Sequence, residues 1–230
     1  MPATVFLQRK QTMLYDFHTH TYMSDGELGA VELIRRAEVE GYTAIGITDH
    51  TGAGNLEAVV TAAVRDCALV GQFWKIRAIP GAELTHVPPE AIDELAARAK
   101  ELGAKLVVVH GETLMEPVPP GTNLAAVKSA HVDILAHPGL ITPEEAALAA
   151  KNGIYLEISA RKGHCLTNGR VAKLAREAGA KLVVDSDSHS PGDLLNEAFQ
   201  RKVAMGAGLS EEEIERALKG NPQELLKRVG

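Results

Sequence analysis

Cysteine is nearly missing from this chain. Cys67 and Cys165 are the only two in 230 residues, too few for a disulfide framework. They have no C-x-x-C spacing, so a structural zinc site of the usual kind is not expected. The compartment they imply is a reducing cytoplasm. No apolar stretch is long enough to span a bilayer, so no membrane partner is expected. The first twelve residues, MPATVFLQRKQT, hold no apolar run of the length a secretory leader needs. Positive charge is also scarce. Lys and Arg number 24 against 30 Asp and Glu, a formal charge of −6, and no Lys/Arg-rich run occurs. A general binder of nucleic-acid backbones needs a basic face, so long nucleic acid is not the expected partner. Divalent ions would offset local negative charge, which leaves room for an anionic substrate.

What is present is an alternation of short apolar runs with helical spacings, the pattern of βα units around a parallel sheet. Strands are expected at 15–17, 44–48, 76–79, 106–109, 134–136, 155–158 and 182–184. Helices are expected at 31–40, 56–70, 89–102, 124–129, from Pro143 onward, and at 169–177, 194–205 and 210–219. Asn221-Pro222 is expected to cap a last turn. Thr142-Pro143-Glu144-Glu145 and Ser210 with Glu213 read as capping boxes, and Gly41, Gly103 and Gly179 as helix ends. Residues 1–13 read as an N-terminal extension, with Met13 an alternative start. No linker divides residues 14–230. The expected architecture is α/β, a single-domain distorted (β/α)7 TIM-like barrel, which carries its chemistry on the loops after the strands.

The residues that stop the apolar runs are the informative ones. His18-Thr19-His20 follows the first run and Asp187-Ser188-His189 the last. His50, Glu83, His110 and His137 end runs in between, and Asp25 sits in the loop after the first. One histidine after a strand is ordinarily a surface side chain. Repetition at successive strand ends points to a shared centre. His18 and His20, two apart on extended chain, point the same way. Imidazoles and carboxylates suit zinc, iron or manganese, and Glu83 and Asp187 each carry two oxygens able to bridge ions. Asp49 is expected either to orient a ligand histidine or to be a helix-side charge, and Asp185 to orient Asp187 or His189. His86 and His131 read as solvated. Arg161, Lys162, Arg170 and His164 are candidate phosphate or substrate contacts. The long loop Gly111–Asn123 reads as a stiff rim, with Glu112 and Asn123 as candidate substrate contacts.

As an ordered set, these motifs resemble the polymerase and histidinol phosphatase (PHP) superfamily over nearly everything after Met13. The resemblance implies two or three divalent ions. His18, His20, Glu83 and Asp187 would hold one; Glu83, His110 and His137 a second; Asp25, His50 and His189 a third. Many members have His where Asp25 stands. The implied reaction is hydrolysis of a small, histidinol-phosphate-like phosphomonoester by metal-activated hydroxide, with Glu83 and Asp187 as bridging catalytic ligands. Alternatives are a nucleoside bisphosphate phosphatase or short-oligonucleotide exonuclease, an amidohydrolase-type C–N hydrolase, and a non-catalytic metal-binding module. The C–N hydrolase would call for eight strands and commonly a carboxylated lysine where His110 stands. No oligomeric state follows from the residues.

Overall fold

A computed structural model describes residues 13–230; of the expected extension, residues 1–12 lie outside the described residues. The strands are β1 (Leu14–Asp16), β2 (Tyr42–Ile47), β3 (His50–Thr51), β4 (Arg77–Leu84), β5 (Leu106–His110), β6 (Ile134–Ala136), β7 (Tyr155–Ser159) and β8 (Leu182–Asp185). All pair in parallel, in the order β1-β2-β4-β5-β6-β7-β8, with β3 beside β4. The seven-stave barrel is therefore the observed fold. The eighth strand, not expected from the sequence, is a two-residue continuation of β2 beyond a break at Thr48-Asp49. It sets His50 opposite Glu83.

Helices α1 (Ala30–Glu40), α2 (Leu56–Gly71), α3 (Ile92–Glu101), α4 (Thr122–Lys128), α5 (Pro143–Asn152), α6 (Asn168–Ala178), α7 (Glu197–Gly206), α8 (Glu211–Glu215) and α9 (Asn221–Val229) complete the chain. Both expected capping boxes form, at Thr142 and Ser210. Two boundaries differ from expectation. α7 starts at Glu197, because Asn196 caps it by accepting from the Phe199 N–H, while Pro191–Asp193 forms a separate 3₁₀ turn. Asn221 opens α9 without the expected break before it: a π-helical stretch, Arg216–Gly220, joins α8 to α9. Pro222 has no N–H to donate within the helix, and the wider turn just before it absorbs the mismatch. Among the described residues, no helix is long and apolar enough to cross a membrane.

Period-two alternation sorts the strands into two faces. Val107, Val109, Leu156 and Ile158 face the helices, while Leu106, Val108, Ile134, Tyr155 and Val183 fill the barrel floor. The same inward rows continue upward into Glu83, His110, Glu157 and Asp185, all buried. At Gly81 the barrel is too tight for a side chain, since a Cβ would lie 2.7 Å from the Leu106 carbonyl oxygen.

The seam between β1 and β8 is closed mostly by side chains. One backbone bridge, Thr19 with Ser188, crosses it above the strands. Below, Asp185 Oδ1 accepts from the Phe17 N–H at 2.8 Å and Asp16 Oδ1 from the Ser186 N–H at 3.1 Å. Gln200 Nε2 donates to the carbonyls of Tyr15 and Val184, both at 2.8 Å. Asp185 thus serves the seam and not Asp187 or His189. Burial pushes the Asp16 carboxyl up to about 7 and raises Asp185 well above the carboxylate range, with Asp16 adding repulsion.

An acid whose folded pKa is raised loses stability as pH climbs from its unfolded to its folded value, because the unfolded chain ionises first. Asp185→Asn keeps the acceptor and removes a charge. Its stability relative to the parent should therefore rise between pH 5 and 8 in urea unfolding of the metal-free chain. Asp185→Ala should cost about 1–3 kcal/mol by orphaning the Phe17 N–H. Identical pH profiles for parent and Asp185→Asn would remove this account of the seam.

Candidate metal centre

The strand ends deliver the nine expected positions to one mouth of the barrel. Glu83, at the top of β4, is fully buried and faces both ways. Its Oε1 lies 3.2 Å from His18 Nε2 and 3.8 Å from His137 Nε2. Its Oε2 lies 2.5 Å from His50 Nδ1 and 3.8 Å from His20 Nε2. Asp187 enters from beyond β8. Its Oδ1 is 3.2 Å from His20 Nε2 and 3.8 Å from His18 Nε2, and its Oδ2 is 3.6 Å from His137 Nε2. Toward solvent, Asp25 Oδ1 stands 3.1 Å from His189 Nε2 and 3.5 Å from His50 Nε2.

Three compact donor groups result: His18–Glu83–His137, His18–His20–Asp187, and His20–Asp25–His50–His189. His110 sits beside His137, ring centroids 4.5 Å apart, but its Nε2 is turned outward to Glu116, at 3.2 Å.

Buried polar atoms ordinarily find partners. Here His18 Nε2, both ring nitrogens of His20, Glu83 Oε1, and the Nδ1 atoms of His110 and His137 are buried without a hydrogen bond. His18 Nε2 and Glu83 Oε1 face each other without bonding. Unpaired donor atoms aimed at shared points fit divalent cations, and imidazole with carboxylate fits zinc, manganese or iron.

Electrostatics agree with that fit. Burial opposes charge on His18, yet Glu83, Glu157 and Asp187 around it hold its pKa well above the usual value. Burial likewise opposes charge on His50, and Glu83 outweighs it, raising His50 to about 10. Burial lowers His20 to about 4 and His137 well below its usual value, leaving neutral imidazoles with free lone pairs. Against burial, the histidines hold Glu83 and Asp187 below the ordinary carboxylate range.

Glu157 is the residue that strand-end reasoning misses. It lies within β7, fully buried, and its Oε2 is 2.7 Å from His18 Nδ1. A carboxylate there fixes the ring and directs Nε2 into the mouth. The available signal was one acid, in register with Tyr155, inside the apolar run Tyr155–Ser159. Thr85 does the same for His50, with Oγ1 at 2.7 Å from Nδ1.

Other candidates sort plainly. Asp49 accepts from the Thr21 N–H and hydroxyl and from the Ser24 hydroxyl, so it shapes the loop that presents Asp25. Arg161 reaches the centre: Nη1 donates to the Asp187 carbonyl at 3.1 Å, and Nε lies 3.7 Å from Asp187 Oδ2. With Lys162 it lines a cavity of about 490 Å³ beside Asp187. Arg170 is tied away, to the Ile141 carbonyl. His164 is buried against His137, ring centroids 4.3 Å apart. One oxygen of Glu112 accepts from the Gly121 and Asn123 N–H groups, and Asn123 spans the Glu112 N–H and the Pro138 carbonyl. Both brace the rim of the long loop.

Residues 16–152 match the model of the PHP domain. The chain belongs to the PHP domain family. An uncharacterized protein of Methanocaldococcus jannaschii is 48% identical over 94% of this chain and all of its own length. A probable phosphatase of Shewanella halifaxensis is 30% identical over 93% of this chain and 91% of its own. Among solved structures, histidinol phosphate phosphatase of Lactococcus lactis, complexed with zinc, L-histidinol and phosphate, superposes with a TM-score of 0.61. It is 16% identical and covers 86% of this chain and 94% of its own, a likeness of fold.

If Glu157 orients His18 for a metal, Glu157→Gln should weaken binding of the tightest ion by about 10–100-fold. Calorimetric titration of the stripped protein with Zn²⁺ measures this, and an unchanged Kd would refute the role. Because His18 and His50 hold protons that an ion must displace, binding should release protons and tighten as pH rises from 6 toward 8. Heats measured in buffers of different ionisation enthalpy count those protons.

Proposed function

We propose that this PHP-family phosphoester hydrolase acts on a small phosphomonoester, histidinol-phosphate-like in size, at a centre of two or three divalent ions. The observation that carries this reading is the convergence of unpaired buried donors on Glu83 and Asp187. Each of these carboxylates turns one oxygen to one set of imidazoles and the other to a second. His18, His20, Glu83 and Asp187 would hold one ion, Glu83, His110 and His137 a second, and Asp25, His50 and His189 a third.

Divalent ions, when bound, neutralise phosphoryl charge and activate water for attack at phosphorus. The chain's own residues do the rest. Glu157 and Thr85 lock the rings of His18 and His50. Arg161, beside Asp187, offers guanidinium donors to the phosphate oxygens, and Lys162 adds positive charge at the edge of the cavity. His164 is a poor proton donor to the leaving group, because burial lowers its pKa and leaves it neutral near pH 7. Acidic overall charge favours a small substrate over long nucleic acid.

Chelation should abolish phosphate release, and Mn²⁺ or Zn²⁺ should restore it. His18→Ala should lose more than the roughly 100-fold typical of an outer partner. No rescue by metal, with His18→Ala as active as the parent, would sink the reading. Arg161→Ala should raise KM on the order of 10–100-fold, as expected for loss of about 1.5–3 kcal/mol from a charged hydrogen bond. A panel of histidinol phosphate, nucleoside 3′,5′-bisphosphates and short oligonucleotides ranks the substrate classes.

A further inference from the structure

Asp187 has two surroundings. Inward, its carboxylate faces the imidazoles of His18, His20 and His137. Outward, it forms part of the wall of a cavity of about 490 Å³. A group joined to phosphorus at the metal centre therefore has this cavity beside it. Pockets that seat small ligands run from about 300 to 1,000 Å³, so there is room for an aromatic ring with a substituent.

Charge on the cavity wall is unevenly committed. Arg161, Lys162, Asp187 and Asp193 all line it. Arg161 donates to the Asp187 carbonyl at 3.1 Å and holds Nε 3.7 Å from the Asp187 carboxylate. Asp187 itself is turned to the imidazoles. Asp193 Oδ2 accepts from the His189 and Ser190 N–H groups at 3.0 and 2.8 Å, which answers its charge locally. Lys162 is exposed and forms no hydrogen bond or ion pair among the described residues. The uncommitted charge of the cavity is positive.

The remaining wall is apolar. Leu194 and Leu195, from the segment after β8, and Phe199, from the first turn of α7, complete it. Phe199 is half-exposed. It is nonetheless held in place, because the Asn196 side chain accepts from its N–H at 2.9 Å. An exposed phenyl ring on a concave wall offers contact to a flat apolar group. Beside an unpaired ammonium, it suits an aromatic ring that carries an anion.

We propose that this cavity selects the alcohol part of the substrate, and that the substrate is a phosphomonoester of an aromatic alcohol bearing a second anionic group. Phe199 and Leu194 contact the ring, and Lys162 pairs with the anion. Arg161 and the ions are left to the transferred phosphate. The inference rests on the reading of the chain as a metal-dependent phosphomonoesterase and narrows it, since a cationic alcohol such as histidinol meets the wrong charge. A carboxylate and a second phosphate both answer Lys162, because an ammonium is a point charge without a fixed fork.

Aryl phosphates of one shape separate charge from size. The metal-loaded full chain is assayed on phenyl phosphates carrying a para carboxymethyl, phosphonomethyl or aminomethyl group. In the parent, kcat/KM for the anionic esters should exceed that for the aminomethyl ester by about tenfold or more. The better of the two anionic esters tells carboxylate from phosphate. Lys162→Glu should reverse the order of anionic and cationic esters, which leaving-group reactivity alone would not do. Phe199→Ala should raise KM for the aryl esters by about tenfold, with a smaller effect on glycerol phosphate. Thermal unfolding of both variants should match the parent, since both side chains are exposed. The same charge preference in the parent and Lys162→Glu would overturn the cavity's role while leaving the phosphatase reading standing. A metal-loaded parent that releases phosphate from none of these esters, nor from histidinol phosphate, would overturn both.

Discussion

The structure depends on one buried carboxylate. Glu83 is taken wholly out of water in the barrel mouth, where an unpaired charge would be prohibitive. It persists because His18 and His137 face one of its oxygens, and His50 and His20 the other. In the metal-free chain, protons on His18 and His50 supply the compensating charge. A divalent ion would supply more of it from the same positions, so the arrangement that makes Glu83 tolerable is also one able to hold metal.

The rest of the barrel makes that arrangement affordable. Each inward row is apolar at the floor and polar at the top: Leu106 and Val108 lead to His110, and Tyr155 leads to Glu157. The hydrophobic floor therefore supplies stability without competing for the mouth. Gln200, Asp16 and Asp185 join the first and last strands where backbone pairing is sparse. His18 and His20 come from one side of that seam and Asp187 and His189 from the other, so their convergence measures how well it is closed. Asp187 and His137 adopt backbone conformations that only a fixed surrounding would hold.

Much of this was legible in the residues because side chains able to ligate a metal interrupt apolar strands at a characteristic place, the end. His18, His50, Glu83, His110 and His137 announce themselves that way, and the alternation of runs announces the barrel. Glu157 was hidden because it lies within a strand, where a single acid is outweighed by its apolar neighbours and only its parity with Tyr155 reveals its direction. The contact between Glu116 and His86 was hidden for another reason. The two residues sit on loops, which carry no periodicity, and their partnership is set by how two distant loops pack. The helical boundary at Glu197 was misplaced because capping by Asn196 overrides the apolar spacing, and the break expected before Asn221 is bridged by a π-helical turn.

Anomalous diffraction at the zinc edge, from crystals of the chain grown with zinc, tests the central claim most directly. A peak should lie in the barrel mouth about 2.0–2.2 Å from imidazole nitrogens of His18 and His20 and a carboxylate oxygen of Asp187. A mouth without any anomalous peak, its imidazoles bonded only to water, would contradict the account.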